Sequence, residues 1–96
     1  MKLIDIRKSV NPSKKYDAIL LVDNKEKIIS FGAKGYEDYT IHKDILRKQR
    51  YLARHKPRED WTMSGVLTPG FWSRWILWNQ PTIQGSVMDL KSRFGL

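Results

Sequence analysis

Residues 31–61, FGAKGYEDYTIHKDILRKQRYLARHKPREDW, decide the fold, because they carry the chain from strand signals into a helix-period pattern. Just upstream, Tyr16–Val22 (YDAILLV) is rich in β-branched and aromatic residues, and Lys27–Phe31 (KIISF) returns after Asp23-Asn24-Lys25-Glu26. This predicts a β-hairpin over 16–31. A lone hairpin is marginal in water, so a further strand is needed. Leu3–Lys8 supplies it, a half-buried edge strand with Ile4 and Ile6 on one side and Asp5 and Arg7 on the other. Asn11-Pro12-Ser13 reads as a turn, and Lys14-Lys15 as a polar loop.

Within the quoted stretch, Gly32 and Gly35 permit positive φ, which suits a turn out of the hairpin. A phosphate-cradling loop is the sharper alternative, but neither the P-loop nor the dinucleotide pattern is present. Thr40 is the expected N-cap of a helix from about His42 to Lys56, stopped by Pro57. At 100° per residue, Ile45, Leu46, Gln49, Leu52 and Ala53 share one arc, the expected core face. Lys43, Arg47, Arg50 and Arg54 form a basic stripe beside it, flanked by Tyr51 and His55. Like charges at this spacing repel by a few tenths of a kcal/mol per pair. Asp44 is the only acid in the helix, so the stripe points to a partner rather than to helix stability.

Downstream, Thr68-Pro69 starts a second helix, Pro69–Asn79 (PGFWSRWILWN), with only Ser73 and Arg74 as polar surface before its final residue. A helix apolar nearly all round is buried on several sides or presents aromatics to a partner. After Pro81, Thr82 caps a third helix over 83–94, with Ile83, Val87, Leu90 and Phe94 as its apolar stripe and Gly95 as its C′ residue. The expected fold is α+β: residues 1–31 form a small antiparallel sheet of about three strands, and residues 40–96 pack three helices on it in a single domain. The expected core is Ile19, Leu21, Ile29, Phe31, Leu46, Leu52, Trp61, Trp72, Trp75, Val87, Leu90 and Phe94.

Length and composition agree. Ninety-six residues suit one core, and 41% hydrophobic residues with 11% aromatics argue against general disorder. Eighteen Lys and Arg against ten Asp and Glu give a net charge of +8, which favours phosphates, acidic proteins or anionic surfaces as partners. The absence of cysteine excludes disulfides, thiolate metal sites and a Cys nucleophile. The charged N-terminal MKLIDIRKSV is no signal peptide, and the longest uncharged run, Trp75–Met88, is too short and polar to span a membrane.

No catalytic pattern stands out. His42-Lys43-Asp44 lacks the spacing of the phospholipase D type motif. His42, His55, Glu59 and Asp60 do not show tetrahedral ligand spacing, and no serine sits in a nucleophile elbow. The expectation is no enzyme, no metal, no cofactor and no small-molecule substrate. Two sets of residues remain as candidates. Lys34, Lys43, Arg47, Arg50, Arg54 and Arg58 would meet nucleic acid or an acidic partner, with Tyr36, Tyr39 and Tyr51 near enough to stack on unpaired bases. Trp72, Arg74, Trp75 and Trp78 would anchor a protein interface.

The runs FGAKGYEDYTIHKDILRKQRYLARH (31–55), EDW (59–61) and GFWSRWILWNQPT (70–82) resemble a small, largely uncharacterised protein family of large DNA viruses of algae and amoebae. The likeness covers about residues 28–95 and brings no catalytic residues with it. It implies a viral origin and a short non-enzymatic protein, either a virion component of the minor capsid type or an accessory DNA-associated protein. The first is the favoured expectation, because the resemblance points to virions and no base-reading motif is visible. It places the chain in the virion, and in the host cell interior during assembly, against other viral structural proteins. The second gives it DNA or RNA, held by the basic stripe.

Overall fold

A computed structural model describes residues 1–96. Three antiparallel strands, β1 (Lys2–Lys8), β2 (Lys14–Val22) and β3 (Lys25–Ala33), form a sheet in the order β1-β2-β3. Four helices follow: α1 (Tyr39–His42), α2 (Ile45–His55), α3 (Pro69–Trp72), which continues as a π-helical turn (Ser73–Leu77), and α4 (Ile83–Phe94). The architecture is the expected α+β one. Two short 3-10 turns, Lys56–Arg58 and Met63–Gly65, link α2 to α3.

The hairpin is longer and tighter than its composition suggests. Asp23 and Asn24 both take positive φ, at 50° and 63°, so a two-residue turn replaces the four-residue connection. Mirror-image turns of this kind match the right-handed twist of the strands, and Asp and Asn tolerate the backbone. Lys14 and Lys15 lie inside β2 rather than in a loop.

The sheet's parity also differs. Ala18 and Leu20 face the core with Tyr16 and Val22, whereas Leu21 lies on the outer face and is exposed. Ile19 is buried there too, opposite Asp5 and Ile28. Every residue from 18 to 22 is apolar, so hydrophobicity alone does not choose a parity, and the wrong one inverts the strand. In β1 the register shifts between Leu3 and Asp5, so Leu3 is buried while Ile4 is half exposed. A bulge, which re-aims a side chain at a sheet edge, accounts for this.

The helical layer is centred on α3 and its π-turn. Thr68 Oγ1 accepts from Phe71 N, and Pro69 occupies the first turn, as the sequence predicts. Phe71, Trp72, Trp75, Ile76 and Leu77 all turn inward to meet Leu3, Leu20, Phe31 and Leu90. The rings of Phe31 and Trp72 lie 6.4 Å apart, which ties the sheet to this segment. Burying each such side chain contributes about 1.5–3 kcal/mol. Trp72 Nε1 donates to Val66 O at 2.7 Å, so its polar end is satisfied in the core. Gly32, at φ +78°, comes so close to Leu77 that a Cβ there would sit 2.8 Å from its Cδ1. In α4 Thr82 caps the first turn, and Gly95 closes the last in the left-handed region, both as expected.

The largest correction concerns the helix that was expected as one element over His42–Lys56. Lys43 takes φ 55° and ends α1, and Asp44 begins α2 afresh, its carboxylate accepting from Leu46 N and Arg47 N. Asp38, not Thr40, caps α1. The break is stabilised by His42 Nδ1, which accepts from Asp44 N at 2.9 Å. The expected core face of α2 is also displaced. Ile45, Leu46, Gln49 and Ala53 face solvent, with Leu46 58% exposed, and only Leu52 is partly covered. The helix docks through Lys48, Tyr51, Leu52 and His55 instead.

Candidate nucleic-acid interface

Residues on α2 divide into three faces at 100° per residue. Lys48, Tyr51 and His55 lie within about 60° and meet the protein. Arg47, Arg50 and Arg54 also lie within about 60° of each other, next to that docked face. Ile45, Gln49, Ala53 and Leu46 complete the circle.

Stacked rings fix the docked face. Tyr51 stacks on Trp78 with centroids 4.1 Å apart and planes 3° from parallel, and His55 stacks on the other side of Tyr51 at 4.1 Å. His42 lies 5.4 Å from Trp78. Lys48 Nζ donates to Asn79 O at 2.6 Å, and Asn79 Nδ2 donates on to Asp89 Oδ2 at 2.8 Å. Burial lowers the Lys48 pKa, and Arg74 adds to the effect. Burial also raises the Tyr51 hydroxyl well above its ordinary range, with Glu59 contributing. At the far end His55 Nδ1 lies 3.2 Å from Glu59 Oε2, while Trp61 Nε1 donates to Glu59 Oε1 at 2.8 Å. Glu59 therefore holds the end of α2 and the start of the next segment together.

This docking sets the arginines. Arg47, Arg50 and Arg54 surround a hollow of about 190 Å3 whose remaining wall is Trp78. The hollow adjoins a larger cleft of about 430 Å3, walled by Arg47, Arg54 and Trp78 on one side and by Tyr36 and Lys15 on the other. Arg50 and Arg54 have no carboxylate partner, whereas Arg47 Nη1 meets Glu37 Oε1 at 3.3 Å across an exposed gap. Lys15 is neutralised by Asp38, at 2.7 Å, and the Asp38 side chain is almost completely buried. That pair pins the 34–38 loop to β2 and fixes the cleft's outer wall. Tyr36 projects from this loop with 73% of its surface exposed. Trp78 has one ring face under Tyr51 and His42 against it, so Tyr36 is the ring open to a base.

The six cations named from the sequence are thus divided. Arg47, Arg50 and Arg54 converge. Lys43 does not continue their stripe, because its left-handed backbone turns it back so that Nζ donates to Thr40 O at 3.0 Å. Lys34 borders a neighbouring depression with Lys8 and Thr40, on the far side of the Lys15–Asp38 pair, which lines both hollows. Arg58 follows the helix end and donates to Arg54 O at 3.4 Å. Of the interface candidates, Trp72 is fully buried and Trp75 is 8% exposed, so Trp72 offers no surface and Trp75 only a margin of its ring, at a hollow beside Trp61. The Arg74 guanidinium lies against the rings of Trp61 and Trp75, at 5.5 and 4.2 Å, and donates to Trp78 O at 2.8 Å. Trp78 serves as the wall of the arginine hollow. Its place there, and that of Lys15, depend on contacts across more than twenty residues of sequence, which no local pattern reports.

Three guanidinium groups on one face, with five donors each in a rigid fork, form a surface for phosphate oxygens. No cluster of three or more His, Asp or Glu side chains is placed to hold a metal ion. No helix is long and apolar enough to cross a membrane.

Fold and site together define a small basic α+β protein with an arginine-walled cleft between its sheet and its second helix. The chain belongs to a family of unknown function, DUF5754, which it matches over residues 4–55. That span takes in most of the sheet and the whole of α2 with its three arginines. No curated protein and no solved structure matches the chain.

Proposed function

We propose that this protein binds nucleic acid, without turning it over, through the arginine face of α2. The observation that carries the reading is the convergence of Arg47, Arg50 and Arg54 on one hollow, two of them without a carboxylate partner. Three like charges at helical spacing repel one another, and phosphate oxygens relieve that repulsion. Tyr36 stands across the cleft as a platform for an unpaired base, which favours single-stranded over duplex ligands. The burial of Trp72 and Trp75 leaves the arginines and Tyr36 as what this side of the molecule offers.

The test is fluorescence anisotropy with a labelled single-stranded oligonucleotide across a salt series. Three phosphate contacts give a slope of log K against log salt of about −2. Changing Arg47, Arg50 and Arg54 together to Glu should abolish binding and the slope. Unchanged retention would refute the reading.

A second reading, a structural component of a virus particle of the minor capsid type, finds support in a different feature. Ile45 and Leu46 at the start of α2, and Ile41 in α1, are exposed apolar side chains that a neighbouring viral structural protein would cover. Under this reading the protein resides in the virion, and in the host cell interior during assembly. Mass spectrometry of purified particles tests it: a fixed stoichiometry supports the placement, and absence from particles removes it.

A further inference from the structure

The third face of α2 is apolar and faces solvent. Ile45 and Leu46 are half exposed or more, and Gln49 and Ala53 continue the same face toward the C-terminal end of the helix. There the face runs into a concavity of about 290 Å3. Its walls are Leu52, Ala53, Trp61 and Trp75, and Lys56 and Arg74 also line it. The hollow lies on a different side of the helix from the arginine cleft and shares no residue with it.

We infer that this ridge and hollow dock an acidic, amphipathic helix of a partner protein, with one large apolar side chain of the partner seated between Trp61, Trp75 and Ala53. The inference deepens the protein-contact reading above. Size and lining suit one aliphatic or aromatic anchor, the arrangement by which a helix sits in a groove.

Charge selects the partner. Residues 45–58 contain no acid, and both margins of the ridge are cationic, with Arg50 and Arg54 along one and Lys56 and Arg74 around the hollow. Arg74 carries a second sign of an incomplete environment: its Nε is buried without an acceptor in the protein. No carboxylate lines the hollow itself, and one on the partner would meet the two cations there, Lys56 and Arg74. A second copy of this chain would bring the same cations face to face in a molecule already at +8. An anionic lipid surface would cover the ridge but has no knob to fill a concavity. Nucleic acid finds its phosphate donors on the arginine face instead.

The probe is a synthetic 18-residue peptide with Leu at helical a/d spacing and Glu elsewhere. It is titrated into the isotope-labelled full chain and followed by NMR. The expected result is saturable shifts of the Leu52 and Ala53 amides and of the Trp61 and Trp75 indole N–H signals. The same peptide with Lys in place of Glu should give none. Ala53→Trp fills the hollow without changing charge and should weaken the peptide by about tenfold or more. Its oligonucleotide affinity should stay unchanged, which also reports that the variant is folded.

Absence of shifts overturns the inference, as does an equal response to the Lys peptide. So do shifts confined to Arg47, Arg50 and Arg54, or a response of these four signals only to vesicles containing phosphatidylglycerol. Absence of the protein from particles would remove the virion placement alone, since peptide docking is read on the isolated chain.

Discussion

The rings of Tyr51 and Trp78 stack at 4.1 Å and within 3° of parallel, and this contact aims α2. Everything that the helix offers outward follows from it: the arginine face on one side and the apolar ridge on the other. Near-parallel aromatic contact contributes about 0.5–1.5 kcal/mol beyond the area it buries. Tyr51→Ala also removes a buried ring, so the expected loss is about 3 kcal/mol in denaturant unfolding. Oligonucleotide affinity should fall with it, because the arginines lose their platform. Tyr51→Phe should lose little of either, since the hydroxyl makes no hydrogen bond within the protein. A Tyr51→Phe variant as weak as Tyr51→Ala would show that the hydroxyl, not the stack, holds the helix.

The Glu37–Arg47 pair competes with any phosphate for Arg47. It spans 3.3 Å between two well-exposed side chains. Exposed pairs contribute about 0.2–1 kcal/mol, so Glu37→Gln should leave stability nearly unaltered. It should also strengthen oligonucleotide binding, by up to about fivefold at low salt, through relief of that competition. Anisotropy titration of the variant against the natural protein measures this. Weaker binding would mean that Glu37 positions Arg47 rather than occupying it.

Asp17 should contribute to stability at low pH. It is fully buried, on the outer face of the sheet, where Ser30 Oγ donates to its Oδ1 at 2.7 Å and Val10 N to its Oδ2 at 3.4 Å. Burial raises its pKa, but bonds from Ser9, Ser30 and Val10 and the charge of Arg7 outweigh this and hold it below the ordinary 3.8. A carboxylate with a depressed folded pKa stabilises fully above its unfolded value, and that stability is lost as pH falls through the folded value. Unfolding free energy should therefore decline as the pH is lowered below about 4, and Asp17→Asn should flatten that decline. Denaturant titrations between pH 6 and 2 on both proteins measure the difference. Equal slopes would assign the acid sensitivity to other carboxylates.

Features read correctly from the sequence are those whose cause lies within a few residues. Thr82 caps α4 through Gly85 N, and Thr68-Pro69 opens α3. Gly35 adopts the positive φ of a turn out of the sheet, whereas Gly32, also at positive φ, lies inside β3 against Leu77. The failures are failures of phase. The helical period of α2 was visible, but its inward direction depends on Trp78 and Asn79, thirty or so residues away. An apolar arc beside a basic stripe names a core face only if something covers that arc. In β2 the alternation was masked by five apolar residues in succession, so Ala18 and Leu20, rather than Leu21, line the core. The break at Lys43 depends on two caps, Asp38 and Asp44, competing to start helices six residues apart. Of the candidate site, the three arginines were legible as a stripe, whereas their wall of Trp78 and Tyr36 was a product of tertiary docking.

Leu46 and Leu20 separate the phase inferred from the sequence from the phase in the structure. Both are leucines in regular elements, and both belong to strongly apolar runs. Leu20 is fully buried at the centre of the sheet, against the helical layer. Leu46 is 58% exposed in the first turn of α2. Truncating Leu20 to Ala leaves a cavity among close-packed neighbours and should cost about 2–5 kcal/mol. Truncating Leu46 removes surface already in water, and alanine is the better helix former, so its cost should be about 0.5 kcal/mol or less. The isolated chain should thus tolerate Leu46→Ala, and even Leu46→Ser, in urea unfolding, while the acidic amphipathic peptide binds such a variant more weakly. A loss of 2 kcal/mol or more at Leu46 would require α2 to be rotated, with its apolar arc inward. The arginines would then no longer converge on Trp78.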